Sequence, residues 1–184
     1  HEMFRSSAAI YTTNVSVSGA GERGKTYLGI GHVYEEGSVR NEKYKRFSIN
    51  FNHEYQLASF LKVGIQLTGA RTLPADTKSI ERALQAAPIA PVYNEQYELY
   101  YSMPDFQRAQ IQNPMMEAEI LANTKIEKNY RGSGSVFGEI KFLKDFTFKV
   151  TFSADIQANQ ARGYLPLIAF YNPDVEGGIE EKAP

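Results

Sequence analysis

Apolar and polar side chains alternate over two runs separated by a few residues, Tyr44–Tyr55 and Leu61–Thr68. In the first, Phe47, Ile49, Phe51 and Tyr55 fall on one side, and Arg46, Ser48, Asn50, Asn52 and Glu54 on the other. In the second, Leu61, Val63, Ile65 and Leu67 oppose Lys62, Gly64, Gln66 and Thr68. A period of two is that of a β-strand with one apolar and one wet face. The runs are close to the roughly 9–11 residues a tilted strand needs to cross a bilayer. A soluble sandwich alternates as well, so the chemistry of each face has to decide between them.

The same reading extends to six strands, about 11–18, 26–34, 44–55, 60–71, 132–142 and 146–157. In the last of these Phe146, Phe148, Val150 and Phe152 stand against Thr147, Lys149, Thr151 and Ser153. Residues of about 73–129 break the rhythm and hold most of the eight prolines. Within them Asp76 is placed to cap a helix through Ile80, Ala83, Leu84 and Ala87, stopped by Pro88. Asn113-Pro114 reads as the cap and first position of a second short helix through Ala122. The tail from Arg162, with Pro166, Pro173 and Gly177-Gly178, reads as loop. Connections are thus short, medium, short, long, short, as in bacterial transmembrane barrels with tight periplasmic turns and long extracellular loops. The fold class expected is all-β: an antiparallel up-and-down transmembrane β-barrel segment with a long, partly helical extracellular loop. Such barrels need at least eight strands, so six should not close.

Composition narrows the function classes. A formal net charge of −1 gives no basic field for nucleic acid. Without cysteine there is no disulfide framework, thiolate nucleophile or thiolate metal site. No apolar stretch approaches the ~18 residues of a spanning helix, and His1-Glu2-Met3-Phe4-Arg5 lacks the form of a signal peptide. Tyrosine (12) and phenylalanine (11) are abundant while tryptophan is absent, a load that suits strands and polar–apolar boundaries.

Candidate chemistry is sparse. Gly19-Ala20-Gly21-Glu22-Arg23-Gly24 fits G-x-G-x-x-G, but a strand-like segment follows where a dinucleotide site needs a helix. A hairpin turn needing positive φ accounts for those glycines instead. His1, His32 and His53 lack metal-ligand spacing. Glu117 and Glu119 point apart on a helix and make no acid/base pair. No catalytic residue, metal or cofactor is expected, and the protein reads as a non-enzyme. Tyr93, Tyr97, Tyr100, Tyr101 and Phe106 cluster in the long insertion, where rings with a polar tip suit a sugar or peptide ligand, a partner protein, or packing of the loop itself. Arg46, Glu54, Lys62, Glu139, Lys141, Lys149 and Asp155 mark the polar faces, which in a barrel line the lumen.

The order and spacing of several pieces resemble the SusC/RagA family of TonB-linked outer-membrane transporters. They include Ser18-Gly19, Tyr27-Leu28, Gly37, Tyr44-Lys45-Arg46, Asn50, Asn52 and Phe60-Leu61-Lys62-Val63-Gly64. Ala90-Pro91-Val92-Tyr93, Asn113-Pro114 and Phe142-Leu143-Lys144-Asp145-Phe146-Thr147-Phe148 continue the likeness over nearly the whole chain. Ala20 departs from the usual second glycine, and Asn94-Glu95-Gln96 from the usual turn after Pro-Val-Tyr. The resemblance implies a barrel fragment in the outer membrane of a Gram-negative bacterium, embedded in its lipid. It also implies a SusD-like surface lipoprotein as partner, the TonB complex acting through a plug domain that these residues do not include, and import of oligosaccharides or peptides. The alternative is a soluble all-β binding or adhesion module.

Overall fold

The structure is a computed structural model describing residues 3–75, 78–108, 111–120, 124–143, 145–164 and 166–182, with the side chains of 78, 79 and 108 left aside. His1, the Asp76 cap, Ala122 and Lys144 lie outside the described residues. Six long strands form one antiparallel sheet in the order β1 (Ile10–Ala20), β2 (Gly24–Glu36), β3 (Lys43–Ala58), β4 (Leu61–Leu73), β7 (Lys125–Phe142), β8 (Phe146–Gly163). The excursion between β4 and β7 carries α1 (Lys78–Gln85), β5 (Tyr93–Asn94), β6 (Leu99–Tyr101), α2 (Asp105–Arg108) and α3 (Pro114–Glu119). After β8 come β9 (Ile168–Tyr171) and β10 (Ile179–Lys182). The long sheet is open: among the described residues nothing pairs with the outer edges of β1 and β8.

Several elements run past their expected bounds. β7 starts at Lys125, so residues expected to close the long loop belong to the sheet, and β8 continues to Gly163. The tail is not loop: β9 and β10 pair antiparallel, and β9 pairs parallel with β6, giving a second sheet ordered β10-β9-β6-β5. Pro166 and Pro173 flank β9 rather than interrupt it, so neither removes a ladder donor. Among the described residues the excursion holds three short helices where two were expected. The Asn113-Pro114 start is as expected: Asn113 Oδ1 accepts the Met115 N–H at 3.1 Å, with Pro114 in the first turn. Leu84, expected on the packed face of α1, is 83% exposed, because Ile80 and Ala83 make the contact and Ala87 lies past the helix end. Gly19, Gly21 and Gly24 do not adopt positive φ; of the described glycines only Gly177 and Gly178 do. The expected reason for the first three therefore fails, and at Gly24 close approach of the Tyr55 ring is the constraint.

Register assigns every side chain of the long sheet to a face. Leu28, Ile30, Phe47, Ile49, Phe51, Val63, Ile65, Leu67, Val136, Ile140, Phe148, Val150 and Phe152 share one side through direct cross-strand pairing, and Val15 and Val17 join it from β1. The opposite side carries Lys62 between Glu54 (3.9 Å) and Glu139 (3.7 Å), and Arg131 on Asp155 (3.3 Å). On this polar side, where β2 also places Tyr27 and Val33, Phe137 is a large apolar ring. It lies over its cross-strand partner Gly64, with Lys149 Nζ 4.4 Å and Lys62 Nζ 5.7 Å from its ring centroid. A Cβ at Gly64 would fall inside contact with that ring. Gly64→Ala is therefore expected to unseat Phe137 at about 1–3 kcal/mol, the usual overpacking range. The urea midpoint of the folded protein checks this; Gly64→Ala combined with Phe137→Leu should recover most of the loss.

The interior lies elsewhere. Apart from Phe137, the buried apolar residues (Met3, Val39, Met103, Ile111, Met115, Met116, Ala118, Ile168 and Phe170) belong to segments that leave the same end of the long strands. Those segments are the lead-in to β1, the β2–β3 connection, the β4–β7 excursion and the chain after β8, and they pack into one cap. Val39, in a connection whose sequence is polar, is fully buried with Met3, Met115 and Ala118. Asn41 Nδ2 donates to the Ala118 carbonyl at 3.1 Å and Arg82 pairs with Glu117 at 2.8 Å. Tight turns join the strands at the other end, where Gln56 Nε2 donates to the Ala58 carbonyl (2.7 Å) and to that of Leu61 (3.3 Å).

Candidate functional site

The short strands of the cap explain where its tyrosines go. Asn94 Oδ1 accepts the N–H groups of Gln96 (3.0 Å) and Tyr97 (3.2 Å), and Glu98 at φ 54° completes the turn between β5 and β6. The hairpin sets Tyr93 opposite Tyr100, their rings meeting edge to face with centroids 5.2 Å apart. On the other side Tyr171 of β9 receives Tyr97 stacked at 4.8 Å and Tyr101 edge-on at 5.1 Å. Asn94 Nδ2 donates to the Tyr101 hydroxyl at 3.2 Å.

Four of the five sequence candidates thus fall in two ring groups on opposite sides of the hairpin, Tyr93 with Tyr100 on one and Tyr97 with Tyr101 about Tyr171 on the other, and the fifth is in neither. Phe106, on α2, is 66% exposed and makes no ring contact with the tyrosines among the described residues. Gln107 beside it accepts from Ala87 N (2.9 Å) and donates to the Gln85 carbonyl (2.9 Å), tying α2 to the end of α1 and away from the ring groups. Tyr171 joins Tyr97 and Tyr101, although its segment lies in a tail whose prolines and glycines read as loop. Its signal was present: in Ile168-Ala169-Phe170-Tyr171 the buried Ile168 and Phe170 alternate with half-buried neighbours.

The tyrosines differ in freedom. Tyr100 packs against both buried clusters of the cap and its hydroxyl donates to the Glu119 carboxylate. Burial, and then the hydrogen bond to Glu119 and its charge, push the Tyr100 phenol well above its ordinary value. A raised folded-state value means this contribution is complete below about pH 10, where the unfolded phenol titrates. It is lost as pH rises through the folded-state value, since the unfolded chain then holds fewer protons. Cap stability should therefore fall in strong alkali for the native sequence and be less pH-dependent for Tyr100→Phe. At neutral pH that variant should be about 1 kcal/mol weaker, read by hydrogen exchange of the cap amides. Tyr93 and Tyr97 keep more than two-fifths of their surface open.

Beside Tyr93 and Tyr100 lies an open groove of about 690 Å³ over Leu99 and Met115, with Arg40, Glu95, Glu98 and Glu119 around it. A second recess of about 480 Å³ is lined mainly by apolar side chains, among them Met3, Phe4, Ala86, Pro88, Pro91 and Met103. On the polar side of the sheet Gln66, Thr68, Ser133, Ser135, Ser153 and Asp155 line a shallow trough of about 350 Å³. Among the described residues no group of His, Asp and Glu is arranged to hold a metal ion. His53 sits between Phe51 and Tyr55 with Nδ1 2.8 Å from Thr26 Oγ1, a boundary position on the apolar face.

No family model matches the chain. It is 25% identical over 163 residues to TonB-dependent receptor P39 of Formosa agariphila, and 24% identical over 127 residues to TonB-dependent receptor P26 of the same organism. These alignments cover 83% and 68% of the chain, which spans only 14% and 13% of the lengths of these curated relatives. The solved RagAB peptide importer in its open–open state superposes with a TM-score of 0.59 at 20% identity, over 94% of this chain and 20% of that one. That likeness shows a shared fold. Over most of its length the chain is thus similar in sequence to a part of two TonB-dependent receptors, and it shares its fold with a part of the RagAB importer.

Proposed function

We propose that the fragment belongs to an outer-membrane importer that takes up oligosaccharides or peptides with TonB-transmitted energy, working with a SusD-like surface lipoprotein. The observation that carries this reading is the two-faced sheet. Its apolar side is exposed across the strands, Phe152 at 73%, and the described residues offer nothing to cover it. A patch of that size on a soluble module would drive aggregation; against lipid it is at home.

The dimensions agree. At one end of the apolar side Lys45 stands over Tyr34 (5.6 Å) and Arg71 over Tyr130 (6.0 Å), with Tyr11 beside Tyr34. At the other end Phe51, His53 and Tyr55 stack in a column, and Phe142 stacks on Phe146. Along β2, Tyr34 and the Gly24 that faces Tyr55 are ten residues apart. At ~3.3 Å per residue this is roughly 33 Å, and a 45° tilt reduces it to roughly 23 Å, near the ~25 Å apolar band of outer-membrane barrels. Aromatic and cationic residues at its margins suit the two interfaces.

In this reading the tight turns face the periplasm and the cap sits at the extracellular mouth, where its tyrosines meet ligand or lipoprotein. Cells carrying the full receptor should accumulate labelled oligosaccharide or peptide only while the TonB system is energised. Uptake that persists after energy coupling is abolished would refute the importer reading.

A further inference from the structure

We infer that the groove beside Tyr93 and Tyr100 is a subsite for short peptides bearing charges of both signs rather than for neutral sugars; this rests on the importer reading above. Its composition carries the argument. Arg40 comes from the β2–β3 connection, Glu95 and Glu98 from the β5–β6 turn, and Glu119 from the end of α3, so three separate segments bring charge to one 690 Å³ space. Glu119 is already engaged by the Tyr100 hydroxyl. Arg40, Glu95 and Glu98 have no ion-pair partner among the described residues.

A neutral glycan could stack on Tyr93 and hydrogen-bond to the guanidinium and the two carboxylates, but it would bring them no opposite charge. Desolvating charge without a partner is costly. A peptide answers each element: a carboxylate for the Arg40 fork, an ammonium for Glu95 or Glu98, and apolar side chains for the Tyr93–Tyr100 wall and the Leu99–Met115 floor. Arginine is the cation best shaped for bidentate carboxylate contact. Specificity then comes from charge and affinity from the rings.

The test is calorimetry on the full-length purified receptor with three probes: trialanine, trialanine acetylated and amidated at its ends, and maltotriose. Trialanine should bind, the capped form about tenfold more weakly, and maltotriose no better than the capped form, since a charge-assisted contact is worth about one decade. Arg40→Gln should weaken trialanine about tenfold and leave the capped peptide unchanged; Glu98→Gln should act in the same direction. Both side chains are exposed, and the Arg40 N–H to Met3 carbonyl bond (3.0 Å) survives the change, so folding is not at issue. Failure of trialanine to bind, equal binding of the capped form, or indifference to Arg40→Gln overturns the inference. TonB-driven uptake of maltotriose by the same receptor would then leave the importer reading intact while the peptide subsite falls.

Discussion

Arginine at Phe152 or Ile49 is expected to cost about 2–4 kcal/mol of barrel stability in a bilayer, while arginine at the adjacent Ser153 or Asn50 is expected to cost little. The pairs differ by one position along the strand and so by a whole face. Phe152 lies opposite Val136 and Ile49 opposite Ile30, both on the uninterrupted apolar side. Ser153 and Asn50 face the side that holds the Lys62, Glu54 and Glu139 charges. Depth matters as much as face. From the alternation alone Phe148 reads as mid-strand, but β8 runs from Phe146 to Gly163, which leaves Phe148 beside the turn and moves Phe152 toward the centre. Arginine at Phe148 should thus be milder, because its side chain can reach the interface. Denaturant midpoints of the full receptor refolded into vesicles would separate the five variants. Equal losses at Phe152 and Ser153 would overturn the assigned faces and with them the membrane reading.

The large sheet was legible because strands with one apolar and one polar face must alternate, and that requirement writes a period of two into β3, β4 and β8. The same physics explains what stayed hidden. The outer ends of β7 and β8, where Lys128 faces Gln160 and Asn129 faces Asn159, pair through backbone with polar residues on both sides. There alternation carries no information. The cap was opaque for another reason. Its core joins Met3, Val39, Met115 and Ala118 from three distant segments, and its sheet depends on the parallel register of Tyr100 with Phe170. Strands of two to four residues have too little length for a periodic signal. Composition did mark the insertion's tyrosines, and four of them make ring contacts, in two separate groups. It gave no warning that Tyr100 would serve as a packing pillar and Tyr93 as a groove wall, since the same ring suits either role.

Asn113 is expected to be the single most costly polar residue of the cap to remove, with Asn113→Ala losing roughly 2–3 kcal/mol of local stability. The side chain is buried at 2% exposure and uses both ends. Its Oδ1 takes the Met115 N–H and starts α3; its Nδ2 donates to the carbonyls of Val92 (2.9 Å) and Tyr101 (3.1 Å) on either side of the β5–β6 hairpin. One amide thus ties the helix that supplies Met115, Met116 and Glu119 to the strands that present Tyr93 and Tyr100. Alanine removes the cap, worth about 1 kcal/mol, and strands buried acceptors at about 1–2 kcal/mol more. The Val92 carbonyl keeps a second donor in Tyr101 N–H at 3.1 Å, so the Tyr101 carbonyl bears most of that second loss. Asn113→Asp separates the two parts: it keeps the capping acceptor but turns a carboxylate toward two carbonyls, so it should not rescue. Because the cap can open without the barrel, faster hydrogen exchange in α3 and faster proteolysis between β4 and β7 are the readouts. The urea midpoint of the barrel should stay unchanged. Native protection in Asn113→Asp would show that helix capping is the whole of this residue's work, and that the hairpin holds the Tyr93–Tyr100 wall without it.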